Sequence, residues 1–351
     1  MNAKIAELIA LRQFQLIEAP LPGPAPGEVQ VRVDAVGICG SDLHSYAEGA
    51  VGDTPCRYPM VLGHEPAGTI IKTGAGVSGW RSGDTAAFEP AIYCYHCEFC
   101  RTGHHNVCAK IRFMSMPGDP GFFRDYVNLP AANLIPIPPG IAPRDATIIE
   151  PLAVVMHSMK FVALRLTETA AVFGAGPIGL MTIICLKLAG AGRVWSIEPV
   201  AARRELARAA GADAVLDPAA VDPSREILRD TGGRGVDVAI DCAAIGGSVN
   251  HCLRASRNAG RVVITGIPVE KEVLVDFSPM RRKELAVYNV RRSNHESEAA
   301  RDLLVENLPR FAAMITHTRP LSRIAEAFQQ VEHRAGGVGK LVILPADAVL
   351  P

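Results

Sequence analysis

Residues 172–180 read VFGAGPIGL, a Gly-x-Gly-x-x-Gly run at Gly174, Gly176 and Gly179. It follows an apolar stretch that reads as a strand, Thr169–Phe173, and opens one that reads as a helix, Pro177–Ala189. That context gives a weak pattern its meaning. Gly174 permits the tight turn, Gly176 lets backbone N–H groups approach a pyrophosphate, and Gly179 lets the helix pack near the sheet. Pro177 and Ile178 begin the helix, whose N-terminal dipole faces the anion. The next strand ends at Glu198, 24 residues after Gly174. A carboxylate there accepts both adenosine ribose hydroxyls and repels a 2′-phosphate, which favours NAD over NADP. Arg203 pulls the other way, since an arginine nearby suits a phosphate.

Working outward, the chain beyond this run alternates strand and helix. Arg193–Ile197, Ala214–Leu216, Val236–Asp241 and Gly260–Thr265 read as strands, and Ala201–Ala210, 224–230 and 247–255 as helices. This is the rhythm of an α/β, doubly wound parallel sheet. Upstream the character differs. Short strands at Val29–Val36, Gly68–Thr73, Asp84–Phe88 and Tyr126–Leu129 stand among dense Pro and Gly turns, as in a compact, mostly β domain with long loops. The change comes near Ala146, where helix signals fill 144–162. After about residue 290 two helices, 295–306 and 322–332, and a last strand, Lys340–Leu344, finish the chain.

The chain has 351 residues, enough for two domains of about 150 residues each. Lys+Arg and Asp+Glu are equal at 36 each, so nothing in the bulk charge draws the protein to nucleic acid or anionic lipid. The opening MNAKIAELIALRQFQL is broken by Glu7, Arg12 and Gln13 and does not read as a signal peptide. The uncharged run Ala170–Leu186 contains Gly174, Gly176, Pro177 and Gly179 and reads as buried strand, turn and helix rather than a membrane span. The expected compartment is the cytoplasm, where thiols stay reduced.

Residues 93–108, YCYHCEFCRTGHHNVC, then need another explanation than disulfides. Cys94, Cys97, Cys100 and Cys108 lie close enough in sequence to wrap one tetrahedral ion. Zinc fits, as four thiolates bind it strongly and close the site to substrate. An iron–sulfur cluster is the alternative. Cys56, Cys185, Cys242 and Cys252 show no such grouping. Further candidate ligands stand in GICGSDLHS (37–45), GHEPAG (63–68) and IIEPLAVVMH (148–157), which hold Cys39, His64, Glu65, Glu150 and His157.

With these motifs in this order, the chain resembles the zinc-dependent medium-chain dehydrogenases over essentially its whole length. The GICGSD and IEPL forms look most like the sorbitol (polyol) and threonine dehydrogenase branch. In alcohol dehydrogenases the place of Glu150 is typically a cysteine. Some sorbitol dehydrogenases lack the four-cysteine loop, so its presence points to a bacterial-type relative.

The resemblance implies a GroES-like, mostly-β catalytic domain, residues 1–154 and 291–351, with a Rossmann NAD-binding domain, 155–290, inserted. It implies one catalytic zinc at Cys39 and His64, with Glu65 or Glu150 as third ligand directly or through water. It implies one structural zinc at Cys94, Cys97, Cys100 and Cys108. Zinc with an open position polarises an alcohol oxygen and lowers its pKa. Ser41 is placed to take the hydroxyl proton and His44 to pass it toward solvent. Gly40 departs from the arginine that some alcohol dehydrogenases carry, so the pyrophosphate must be neutralised elsewhere. Arg292 matches a substrate-binding arginine of polyol dehydrogenases. Asn294 is a weaker substrate candidate, and Phe122 and Phe123 are candidates to line the pocket or pack the core. The expected substrate is a small polyol or other secondary alcohol, with threonine or a simple secondary alcohol as alternative and a non-catalytic NAD-binding relative as the outlying reading. A homo-oligomer, tetramer or dimer, is expected through an added edge strand at Glu284–Val290.

Overall fold

The computed structural model describes residues 1–245, 247–270 and 272–345. The chain forms two compact units, Met1–Ala153 together with the segment from Asn294 onward, and Val154–Ser293.

In the second unit six strands, Thr169–Phe173, Arg193–Ile197, Ala214–Leu216, Val236–Asp241, Ser256–Ile264 and Ala286–Asn289, form one parallel sheet. Their spatial order is third, second, first, fourth, fifth, sixth. Both faces of such a sheet are covered, and the strands are correspondingly apolar: every residue of Val236–Asp241 is buried. The order reverses between the first and fourth strands, and a ligand binds outside the carboxyl ends of the strands at such a point. A cavity of about 630 Å³ opens at the ends of the fourth to sixth strands, with Asp241, Ile264, Gly266 and Asn289 in its wall.

The helices of this unit start and stop where their ends demand. Asp222 caps Pro223–Asp230 by accepting from the Ser224 and Arg225 N–H groups. Gly211 ends Ala201–Ala210 in the left-handed region, φ 110°.

The first unit is built on a sheet ordered Leu134–Pro136, Thr85–Phe88, Glu65–Thr73, Glu28–Gly37, Lys340–Leu344, Ile315–Pro320, with Tyr126–Pro130 also paired to Glu28–Gly37. Val31, Val33, Ile70, Phe88, Phe122, Phe123, Phe328 and Ile343 fill its core. A hairpin not foreseen from the sequence, Asn2–Ala10 with Gln13–Pro20, adds Met60–Val61 as a third strand. Three strands meet at one point: Gly37 stands opposite Glu65 on one side and Val342 on the other. That junction positions the site.

Candidate functional site

Cys39 stands two residues after the end of the strand Glu28–Gly37 and serves as N-cap of a short helix, Gly40–Ala47. Ser41 and His44 therefore lie on one helix, three residues apart. The helix forms because Asp42, at its third position, turns back to accept from the Cys39 N–H at 3.1 Å. Glu65 opens the neighbouring strand, Glu65–Thr73, and His64 directly precedes it. Ligand atoms of Cys39, His64 and Glu65 all lie within 4.8 Å of one another. Ser41 Oγ is 3.3 Å from both Cys39 Sγ and His64 Nε2.

Asp42, absent from the expected set, organises this cluster. It is 1% exposed, and its Oδ1 accepts from the Gly63 N–H and the Ser115 hydroxyl, each at 3.1 Å. The same oxygen stands 3.3 Å from His64 Nδ1, on the far side of the ring from Ser41. A histidine held this way presents its other nitrogen in a fixed direction, the usual arrangement behind a metal-binding imidazole. Burial works against a charge on His64, yet the Asp42 carboxylate and Cys39 together carry its pKa well above the ordinary value. The cluster asks for a cation. Thiolate, imidazole and carboxylate donors around one point fit zinc.

Glu150 lies at the start of the helix Ile149–Val162 and outside the group of three converging ligand atoms. Desolvation, opposed by His64 and reinforced by Glu65 and Glu89, pushes its carboxyl up to about 8. Lys340 Nζ pairs with Glu65 Oε2, and both side chains are 1% exposed. Phe113 sets its ring 5.4 Å from that of His64. Neither Lys340 nor Phe113 was signalled by spacing or motif; Asp42 could have been found as the acid three residues after a candidate N-cap.

The four-cysteine loop closes on itself. Sγ–Sγ distances are 3.4 Å for Cys94–Cys108, 3.9 Å for Cys97–Cys108 and 4.0 Å for Cys94–Cys100. Zinc–sulfur bonds in a tetrahedron place sulfurs roughly 3.8 Å apart, so the thiols are spaced for one zinc. They are too far apart for disulfides, and all nine cysteines are free. Backbone N–H groups of Cys100 and Ala109 pull the Cys97 thiol down to about 6, toward the thiolate that a metal needs.

In the second unit Gly174 has φ 95° and donates its N–H to Ile197 O at 2.8 Å. A Cβ on Gly179 would collide with Gly174 O, so the helix and the turn touch through backbone alone. Pro177 and Ile178 open the helix Pro177–Leu188, with Gly176 as N-cap. Glu198 is buried and accepts from the Ala175 N–H at 2.8 Å and the Val200 N–H at 3.0 Å. A Cβ on Gly176 would lie 3.9 Å from Arg203 Nη1, so that guanidinium borders the glycine turn.

Other expected residues sit elsewhere. Phe122 is wholly buried against Phe88, ring centroids 5.6 Å apart, and Phe123 packs on Phe328; both are core residues. Asn294 accepts from the His105 N–H at 3.0 Å and donates to Gly103 O at 2.8 Å, which makes it a brace for the cysteine loop. His157 packs its buried ring on Phe161. Arg292 is a residue of the second unit, in left-handed backbone with φ 54°.

A metal-ready triad in one unit and a dinucleotide turn in the other define a zinc-dependent dehydrogenase, and the likeness to known proteins agrees. Residues 25–139 match the alcohol dehydrogenase GroES-like domain, and 177–306 the zinc-binding dehydrogenase domain. The chain belongs to this family: it is an oxidoreductase that passes hydride between an alcohol carbon and NAD(P), with zinc. It is 30% identical to sorbitol dehydrogenase of Bacillus subtilis (strain 168), over 98% of each chain. It is 34% identical to L-threonine 3-dehydrogenase of Pyrococcus abyssi, over 94% of each. A zinc-binding dehydrogenase of Sinorhizobium meliloti 1021, solved with NADP, superposes with a TM-score of 0.91 at 28% identity, covering 98% of this chain and 100% of that one.

Proposed function

We propose that the protein oxidises a small polyol or other secondary alcohol to the ketone, reversibly, with NAD in preference to NADP. The observation that carries this is the convergence of Cys39, His64 and Glu65 with the Ser41 hydroxyl 3.3 Å from two of them. Zinc bound by the three would lower the pKa of an alcohol oxygen, while the dinucleotide accepts the hydride. Ser41 receives the hydroxyl proton, and His44, half-exposed one turn further along the same helix, passes it toward water. Glu65 is the direct carboxylate ligand, because it lies inside the converging set. Glu150, outside the set and with a carboxyl near 8, acts through water. Cys94, Cys97, Cys100 and Cys108 hold the structural zinc.

Glu198 favours NAD, as its carboxylate stands at the glycine turn where a ribose would be met. Gly174, Gly176, Pro177, Ile178 and Gly179 receive the pyrophosphate, with Arg203 beside them. Arg292 supplies donors to substrate hydroxyls away from the metal. Threonine is the second reading, favoured by the relative of that name. The protein acts in the cytoplasm, which nine free thiols suit. Among the described residues no helix is long and apolar enough to cross a membrane. A substrate panel followed as NADH absorbance at alkaline pH tests the proposal. Sorbitol-like polyols should outpace L-threonine and 2-propanol; turnover confined to L-threonine would refute the polyol reading.

A further inference from the structure

We infer that Lys340 is a positioning residue for the metal triad: it holds Glu65 by one carboxylate oxygen and offsets its charge, so that a cation bound there keeps more of its own. This rests on the proposed role of Cys39, His64 and Glu65 as ligands. The ammonium is 1% exposed, and a lysine is almost never fully buried unless paired. Its Nζ donates to Glu65 Oε2 and, at 3.2 Å, to Ile38 O, the carbonyl just before Cys39.

The backbone is built around this pair. Lys340 is pinned at the strand start by its N–H to Met314 O at 2.8 Å, and Val342 of the same strand stands opposite Gly37. A Cβ on Gly37 would overlap Glu65 Oε2 and come 2.8 Å from Lys340 Cε. Only glycine leaves room for both side chains between the strands.

The consequence is electrostatic. A thiolate from Cys39, a carboxylate from Glu65 and a neutral His64 would cancel a divalent charge, and the buried Asp42 carboxylate behind His64 adds a further negative charge. Lys340 returns one positive charge to the group, and with Oε2 occupied, Glu65 offers one oxygen to the metal rather than two. Without the lysine, Glu65 would bind more strongly, and the cation would polarise an alcohol less.

The test is zinc release from the purified holoenzyme into a chelator, read with a colorimetric indicator, for the unmutated protein, Lys340→Met, Lys340→Gln and Lys340→Arg. Release from the four-cysteine loop serves as the internal control for folding, and Lys340→Gln provides a polar variant should Met not fold. Met and Gln are expected to hold the triad zinc more tightly, on the order of tenfold, because removing the Lys340 charge strengthens the attraction between Glu65 and the cation. They should lower kcat more than they change KM, and Arg should restore both. In cobalt-substituted protein the visible band should move in Met and Gln and return in Arg. Unmutated protein carrying a single zinc, in the cysteine loop, would defeat the reading of the triad itself. Two zincs, with release and cobalt band unchanged or release faster in Met and Gln, would defeat the role of Lys340 alone.

Discussion

Asp42 illustrates how much of a metal site lies behind its ligands. Four polar groups meet its carboxylate, three at Oδ1 and the Cys39 N–H at Oδ2, and an amide, with a single acceptor oxygen, cannot serve them all. Asp42→Asn should keep the fold but lose roughly 10–100-fold in affinity for the triad zinc, as is usual when the partner of a metal-binding histidine is changed. Zinc analysis after mild dialysis would then give one zinc per chain where the unmutated protein gives two. Retention of both would show that Asp42 braces only the helix start. Cys39→Ala should also leave one zinc and a folded, inactive protein. At this scale the sequence was partly legible. Cys39, His64 and Glu65 could be named from motifs, but the Lys340–Glu65 pair spans 275 positions, and no local pattern announces such a meeting.

At the scale of elements, the glycine turn depends on backbone approach, and Glu198 holds it from the next strand. Glu198→Ala would leave the Ala175 and Val200 N–H groups without their acceptor. It should raise the Michaelis constant for NAD and narrow the preference over NADP; an unmutated enzyme that already prefers NADP would shift the weight to Arg203. The other end of the same sheet is tied by Asp237. Its carboxylate accepts from Thr169 N and Oγ1 at 2.9 Å each, from Arg257 Nε at 2.6 Å and from Arg234 Nη2 at 2.7 Å. Burial raises its pKa, but Arg234, Thr169 and Arg257 outweigh that and hold it far below the ordinary carboxylate range. A depressed folded pKa means that the stabilisation is complete above the unfolded value of about 4 and is lost as pH falls below it. Asp237→Asn should therefore cost about 1.5–3 kcal/mol near neutral pH. The gap in melting temperature should close as both proteins are taken below pH 4. A gap that stays constant would mean that packing, not charge, is what the substitution disturbs.

These elements were legible because their ends are written locally: Pro223 after Asp222, Gly211 after a helix, β-branched runs between them. The N-terminal hairpin was not. Its first strand, NAKIAELIA, mixes helix formers with apolar residues and alternates imperfectly, with Ala3, Ala6 and Leu8 buried. Its pairing to 13–20, to Met60–Val61 and, through the Ala6 N–H, to Phe123 O decides the strand from outside it.

The whole molecule leaves a question at the edge of the parallel sheet. Among the described residues, Ala286–Asn289 pairs with Ser256–Ile264 on one side only. Val290 turns its N–H inward to Ile264 O, so the alternate N–H groups along this strand point outward. Unpaired strand edges invite another chain. Before the strand stand two large apolar side chains in water, Leu274, 89% exposed, and Phe277, 62% exposed. A second copy related by a two-fold axis would cover both, since a two-fold contact matches a surface with itself. We therefore expect a homo-oligomer, a tetramer or else a dimer. Light scattering on the eluting protein at micromolar concentration should give a multiple of 37.4 kDa. Charging the patch with Leu274→Glu and Phe277→Glu together should drive the mass toward that of one chain while both zincs stay bound. A mass of one chain for the unmutated protein would leave the exposed edge without a partner of its own kind.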